Sequence, residues 1–312
     1  MEKYTVKSQK KHIRMWAVVL LNIILITAGV LMMAYPIIAS QYAESVRSEV
    51  RTEYEEVLQE ADTTKLDAVR AAAEAYNHAF FSGQVDLMNP GASGYWEQLL
   101  LDGIDCMGYI SIQKLGIQLP IYHGIGAEAL SRGCGHMPQS SLPIGGVNTH
   151  AVISAHTGSS SGSLFSDLDK LEVGDIFQLE ILGETLTYEI QSANDIQVVL
   201  PEAVNNIKIQ TGKDLVTLVT CTPYGINTHR LLVTGHRIEN PAEETESSEP
   251  VEIVPTTPDD TTSNWLNNYK SSVIAALFII DLSIFLCVAM TVSQRRRKNS
   301  IFTDGASERE NG

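Results

Sequence analysis

Cys221 and Arg230 are the residues in this chain whose types and spacing most directly suggest chemistry. Leu215 to Thr220 is β-branched and apolar and reads as a strand; Arg230 to Thr234 reads as the strand that returns beside it. Between them Pro223 to Asn227 is turn chemistry, because proline fixes φ while glycine and asparagine tolerate positive φ. Such a hairpin sets a thiol at one strand end and a guanidinium at the start of its neighbour, on one rim. A nearby cation favours the thiolate, the form that attacks carbon. The competing assignment is an inert core residue, the commonest fate of a lone cysteine in an apolar strand.

A nucleophilic thiol needs a proton-transfer partner and a group that holds developing oxyanion charge. The candidate histidines are His78, His123, His136, His150, His156, His229 and His236. His156 suits the role best, since it ends the apolar run Ala151 to Ala155 and is followed by Thr157 and Gly158, so it can sit at a rim. His229 adjoins Arg230, so its side chain points to the opposite face of an extended strand. No CxxC or other metal-ligand spacing occurs, and neither a metal nor a cofactor is expected.

The elements that must position these groups are mainly β. Short strands are expected over Tyr109 to Ile112, Leu119 to Tyr122, Ala151 to Ala155, Ile176 to Leu182 and Leu186 to Ala193, with a hairpin turn at Gly183-Glu184. Ala127 to Leu130 reads as a helical turn, Gly145 to His150 as a loop, Leu164 to Leu168 as a short helix, and Pro201 to Gln210 as irregular. Short strands at this spacing with turn signals between them suggest a closed or nearly closed β-barrel. Ahead of it, Val46, Val50, Tyr54, Val57 and Leu58 recur at helical spacing. Asp62 or Thr63 can cap a second helix with body Leu66 to Phe80. These helices lead from membrane to domain, and a simple stalk is an open alternative.

Two apolar runs flank the domain, Met15 to Ala34 and Val273 to Val292, each about the length that spans a bilayer. Lys3, Lys7, Lys10, Lys11 and Arg14 precede the first, and Arg295, Arg296, Arg297 and Lys298 follow the second. The positive-inside tendency places both termini in the cytoplasm and the domain outside. The first run exceeds the h-region of about 7–15 residues in a cleaved signal peptide, which favours an uncleaved anchor. The second has the look of a wall-sorting tail, but no Leu-Pro-x-Thr-Gly precedes it, and it too reads as an anchor. Asp281 in that run costs roughly 2.5–3.5 kcal/mol on insertion scales, outweighed by the many residues that return about 0.3–0.6 each. Its depth matches that of Asn22, so an Asn22–Asp281 hydrogen bond is one expectation and a lone tolerated carboxylate the other.

The expected organisation is a basic cytoplasmic tail over 1–14, a transmembrane helix over 15–35, helices over 36–82, a connector over 83–106, the catalytic barrel over 107–238, a disordered linker over 239–270, a second transmembrane helix over 271–293 and a cytoplasmic tail over 294–312. The linker is Pro, Glu, Ser and Thr with almost no large apolar residue and cannot bury enough surface to fold. Net charge is −15 although both flanks are basic, so the outer part is strongly acidic and nucleic acid is not expected as a partner. The 4 cysteines are too few for a disulfide scaffold; Cys106 and Cys134 can pair or serve as small apolar residues, and Cys287 falls in the second apolar run.

Thr217-Leu-Val-Thr-Cys221 matches the nucleophile motif of the sortases, and the extension Thr222-Pro-Tyr-Gly-Ile-Asn-Thr-His-Arg230-Leu-Leu-Val resembles the pilus-assembling class C members. Gly108-Tyr-Ile, Leu119-Pro-Ile-Tyr-His123-Gly, Gly145 to His156 and Leu164 to Leu171 are further matching pieces. The resemblance implies an eight-stranded sortase barrel with N-terminal helices and two transmembrane helices. It implies Cys221 as nucleophile, His156 as acid/base and Arg230 as the group on the scissile carbonyl or oxyanion. The substrates it implies are pilin or surface proteins carrying an LPxTG-like sorting signal cut between Thr and Gly, and the acceptor is a pilin lysine amine. Rival readings are a sortase that attaches single proteins to wall peptide, and a non-catalytic surface or pilus-base binding module. The chain departs from class C at Asn89-Pro90-Gly91, where an Asp-Pro-aromatic lid is usual, so this segment is either a lid docked differently or an ordinary turn. Gln113 and Ala155 are smaller departures, at positions where Pro and Gly are usual.

Overall fold

The computed structural model describes residues 2–158, 164–240, 274 and 277–285. The expected linker beyond Asn240, most of the second apolar run, the C-terminal tail and the Ser/Gly loop at 159–163 lie outside the described residues. The chain divides into two units, one holding the N-terminal 38 residues with those from Pro255 onward, the other Ala39–Val254.

In the first unit the helix α1, Glu2–Glu60, begins, and it continues unbroken through Pro36. From Val19 it contains a stretch long and apolar enough to cross a membrane. Residues 277–285 are also helical. Asn22, only 4 % exposed, accepts a hydrogen bond from Ser283 Oγ at 2.7 Å. The second helical segment thus meets Asn22 through Ser283, while Asp281 is exposed. Two positions along an α-helix lie about 200° apart round its axis, so a face that presents Ser283 turns Asp281 away.

The second unit is a β-barrel. Its strands are β1 (Cys106–Ile112), β2 (Ile117–His123), β3 (Cys134–His136), β4 (Thr149–Ser154), β5 (Ile176–Ile181), β6 (Glu184–Glu189), β7 (Ile196–Val199), β8 (Asp214–Thr222) and β9 (His229–Ile238). Eight of them form the ring β6-β5-β1-β2-β3-β4-β8-β9, closed by the pairing of β6 with β9. The ninth, β7, shares the edge of β9: it pairs over Leu231 to Val233 and Arg230, while β6 pairs over His236 to Ile238. The pairs β2–β3 and β4–β8 are parallel and the rest antiparallel. A parallel pair needs a crossover. The short helix α3, Ala127–Arg132, lies in that of β2–β3, and β5 to β7 make up that of β4–β8. Sequence periodicity misses β3 and β7, which are too short for alternation to register. It also places Thr149 and His150 in a loop, whereas both belong to β4.

The helices ahead of the barrel are part of its core. Asp62 caps α2, Thr63–Phe81, by accepting from the Thr64 amide at 3.1 Å. Tyr54 of α1 is buried, sets its ring edge-on to Tyr109 at 5.4 Å and accepts from the Leu182 amide at 3.0 Å. Arg51 pairs with Glu180 at 3.0 Å. On α2, Ala73, Tyr76 and Asn77 are buried. This burial excludes a plain stalk for residues 50–81.

Asn77 does for the loop at Leu142 what a strand neighbour would do. Its Nδ2 donates to the Leu142 carbonyl at 3.1 Å and its Oδ1 accepts from the Leu142 amide at 2.7 Å. Leu142 is fully buried, so losing both bonds strands two peptide groups away from water. An unpaired buried polar group costs about 1–3 kcal/mol. Asn77→Ala is expected to lower unfolding free energy by about 2 kcal/mol or more, read as a lower urea midpoint of the detergent-solubilised chain.

Candidate active site

The parallel register of β4 on β8 decides what meets at the rim. It runs from Thr149 opposite Asp214 to Ser154 opposite Val219. It continues past the last pair, because the Ala155 amide donates to the Val219 carbonyl at 3.1 Å and Thr220 Oγ1 donates to the Ala155 carbonyl at 2.9 Å. His156 thus leaves β4 level with Cys221. On the other side of β8, Cys221 lies directly opposite Arg230 of β9. Thiol, imidazole and guanidinium come from adjoining strands about 4.8 Å apart.

They also share a face. Residues directly opposite on neighbouring strands project to the same side. Ala151, Ile153, Val216, Leu218, Leu231 and Val233 face the barrel interior. The alternate residues Val152, Val219 and Leu232 form a second apolar cluster with Met137 and Val204, flanked by Val199 and Ile207. Cys221 follows the parity of Val219, and Arg230 that of Leu232. The site therefore lies on the outer face of β4, β8 and β9, above an apolar floor walled by β7 and the 3₁₀ turn Pro201–Asn206. Further along the same floor is a cleft of about 690 Å³ that includes Thr217, Leu232, Val199 and Ala203 in its lining.

Accessibility suits a reacting constellation. His156 is exposed, and Cys221 and Arg230 are half-buried. Arg230 Nη1 donates to the carbonyls of His229 at 2.9 Å and Asn227 at 3.2 Å, which fixes the guanidinium to its turn. Cys106 and Cys134 are free and buried, so they do not pair. Burial pushes both thiols up, Cys106 to about 12, and this removes both as competing nucleophiles.

The other histidines sort themselves by partner. His136 is fully buried; its Nε2 faces the Ser141 carbonyl at 2.7 Å and so carries the proton, leaving Nδ1 to accept from Tyr95 at 2.9 Å. His150 is buried on the floor, with Nδ1 donating to the Lys208 carbonyl at 2.9 Å and Nε2 accepting from Thr217 at 2.7 Å. Burial holds both below the usual imidazole range. His123 donates to the Gln98 carbonyl at 2.8 Å, and His236 pairs with Asp195 at 3.1 Å. His229 lies opposite Thr222, and its Nδ1 meets Thr228 at 3.0 Å. His78 is exposed on α2.

The segment around Asn89 is docked through residues that follow it. Pro90–Ser93 and Tyr95–Glu97 are short 3₁₀ turns. Tyr95 is fully buried; its hydroxyl reaches His136 and accepts from the Gly124 amide at 3.0 Å. The Trp96 ring lies edge-on to Tyr95 at 4.9 Å and so close over Gly124 that a Cβ there would stand 3.1 Å from it. The aromatic anchors thus fall after the Asn-Pro-Gly turn, and they fasten it to the ends of β2 and β3.

With this geometry in hand, similarity to known proteins has a place to act. The Sortase domain family model matches residues 110–238. Sortase C1 from Streptococcus agalactiae superposes with a TM-score of 0.56 at 43 % identity, over 61 % of this chain and 97 % of that one. A Clostridium perfringens sortase C, solved with its C-terminal cell wall sorting motif, superposes with a TM-score of 0.54 at 40 % identity, over 61 % and 97 %. Among curated relatives, a sortase A of Streptococcus agalactiae is 38 % identical over 119 residues, 37 % of this chain, and a sortase D of Bacillus subtilis 30 % over 134 residues, 42 % of this chain. The matches span 47 % and 63 % of those two relatives' lengths.

The Tyr95–His136 anchor makes folding acid-sensitive. Burial lowers the His136 pKa from 6.5 to about 4. Below about 6.5 the unfolded chain binds a proton at this site that the folded chain refuses, so stability falls as pH falls until about 4. The loss is on the order of 3 kcal/mol. His136→Asn is expected to flatten the decline of the urea midpoint between pH 6.5 and pH 4 relative to the parent chain; an unchanged slope would assign the acid sensitivity elsewhere.

Proposed function

Because the chain belongs to the sortase family, we propose that it is a membrane-anchored cysteine transpeptidase that cuts LPxTG-like sorting signals between Thr and Gly and joins pilin subunits through isopeptide bonds to lysine. The observation that carries this reading is the convergence of Cys221, His156 and Arg230 at one level of three adjoining strands, facing one groove.

In the first half-reaction the Cys221 sulfur attacks the threonine carbonyl carbon. The C–N bond breaks, a C–S bond forms, and His156 delivers a proton to the leaving glycine amine. Arg230 holds the carbonyl oxygen while it carries negative charge, the role for which fixed cationic donors contribute most. The thioester conserves the energy of the broken peptide bond, so a second amine can take the acyl group without ATP. In the second half-reaction His156 removes a proton from the incoming lysine amine, and the sulfur leaves. The apolar floor of Val152, Val219 and Leu232 suits the apolar start of a sorting signal and limits water at the thioester.

No cofactor or metal enters these steps. The apolar stretch of α1 would serve as a lipid-embedded anchor, and the second apolar run as its partner, with both termini cytoplasmic and the barrel outside. The class C likeness at 35–43 % identity favours a pilin lysine as acceptor over wall peptide.

Mass spectrometry of the full-length protein incubated with an LPxTG-type peptide tests the proposal. The parent chain is expected to carry a thioacyl adduct on Cys221, and Cys221→Ala none. Arg230→Ala is expected to slow adduct formation by about 10²–10³-fold. An unmodified Cys221 across a panel of sorting peptides would overturn the reading. Release of the adduct by wall peptide but not by a lysine-bearing pilin segment would move the function to single-protein anchoring.

A further inference from the structure

Two hydroxyls sit at the junction of the strands that carry the thiol and the imidazole. Thr157 Oγ1 lies 2.6 Å from the Cys221 carbonyl oxygen and 2.5 Å from Thr220 Oγ1. Thr220 Oγ1 lies 2.9 Å from the Ala155 carbonyl oxygen. Two hydroxyl protons thus serve three acceptors. When Thr157 donates to Cys221, Thr220 is free to donate either to Thr157 or to Ala155. In both arrangements the residue that follows His156 is bonded to the carbonyl of the nucleophile itself.

This tie falls where the backbone ladder has ended. The last β4–β8 pair is Ser154 with Val219, and Thr220 and Thr157 both lie beyond it. His156 is exposed, so packing does not fix its ring, and its separation from sulfur depends on where the backbone stands. The Phe165 amide donates to the His156 carbonyl at 3.2 Å and the Gly158 amide donates to Ser166 at 2.9 Å. The Tyr224 ring closes over Gly158, where an added Cβ would stand only 2.5 Å from it. These contacts hold His156 and Gly158 to Phe165, Ser166 and Tyr224, while the Thr157 hydroxyl links this stretch to the reacting residue.

We propose that Thr157 is a positioning residue, whose hydroxyl holds the His156 backbone level with Cys221 and thereby sets the imidazole–sulfur distance for proton transfer. It acts through His156 and touches no substrate. The inference rests on the reading of Cys221 and His156 as nucleophile and acid/base. Misplacement by about 1 Å costs on the order of 10²-fold in rate, so even a partial release of this tie should be measurable.

Two assays on the full-length, detergent-solubilised protein test it. In turnover of an LPxTG-type peptide with a lysine-bearing acceptor, Thr157→Val is expected to lower kcat about ten- to hundredfold with KM within about twofold. Thr157→Ser, which keeps the hydroxyl, should return kcat to within about threefold of the parent. The second assay needs no sorting signal: iodoacetamide alkylation of Cys221 at pH 7, followed by peptide mass spectrometry. His156→Ala should change the alkylation rate in the parent background, and that factor should shrink toward one in the Thr157→Val background, the signature of coupled sites. The proposal is overturned if Thr157→Val keeps the parent kcat, if Thr157→Ser is as slow as Thr157→Val, or if the His156→Ala factor is the same in both backgrounds. A factor of one in the parent background removes the pair that Thr157 is said to position and overturns it as well. A protein inert to sorting peptides that still shows the shrinking factor would refute the substrate reading while supporting the role of Thr157.

Discussion

The parallel pairing of β4 with β8 is the constraint on which the candidate site depends. Parallel strands end at the same rim, so the residues just past Ser154 and Val219 emerge side by side. Were the two antiparallel, His156 would lie near Asp214, about 20 Å from Cys221 at the rise of an extended strand. The pair is far apart in sequence, and both of its ends are tied down by side chains. At the far end Asp214, which burial holds above the usual carboxylate range, accepts from the Gly146 amide at 2.8 Å and from Tyr188 at 3.0 Å. Asn148, in the left-handed region at φ 66, accepts from the Gly212 amide at 2.7 Å. At the near end the threonine hydroxyls do the same work, so the register cannot slip without breaking bonds at both rims.

The second constraint is that β8 has two buried faces with different duties. One fills the barrel through Val216 and Leu218; the other supplies Val219 to a small apolar cluster outside it. A strand buried on both faces reads as a continuous apolar run, as Leu215 to Thr220 does. The outer cluster exists because β7 extends the sheet beside β9 and the turn after it brings Val204 against Val219 and Leu232. That wall makes a groove out of what would otherwise be an open sheet surface.

The helical segments before the barrel contribute to packing as well as to connection. Tyr54, Ala73 and Tyr76 are buried as fully as strand residues, and Tyr95 inserts between the helices and the ends of β2 and β3. The resemblance to class C sortases raises the question of a lid at Asn89-Pro90-Gly91. In this chain the aromatic weight of that region lies at Tyr95 and Trp96, and its polar anchor is the buried His136.

The sequence alone determined the barrel class and the hairpin that sets Cys221 against Arg230, and it singled out His156 as the histidine that ends an apolar run. Those features are local: strand, turn and strand in one stretch, and an apolar run that stops at a histidine. The family motif around Cys221 is equally local. It did not determine β3 or β7, which are three and four residues long and exist only because neighbours pair with them. Nor did it show what His136 and His150 do, since burial and partner define a histidine's role and both arise from contacts between distant segments. Ser283 facing Asn22, Asn77 serving the Leu142 loop, and Thr157 reaching Cys221 are likewise products of tertiary structure. In each case the two residues are remote in sequence, and only the closing of strands and helices upon one another brings donor to acceptor.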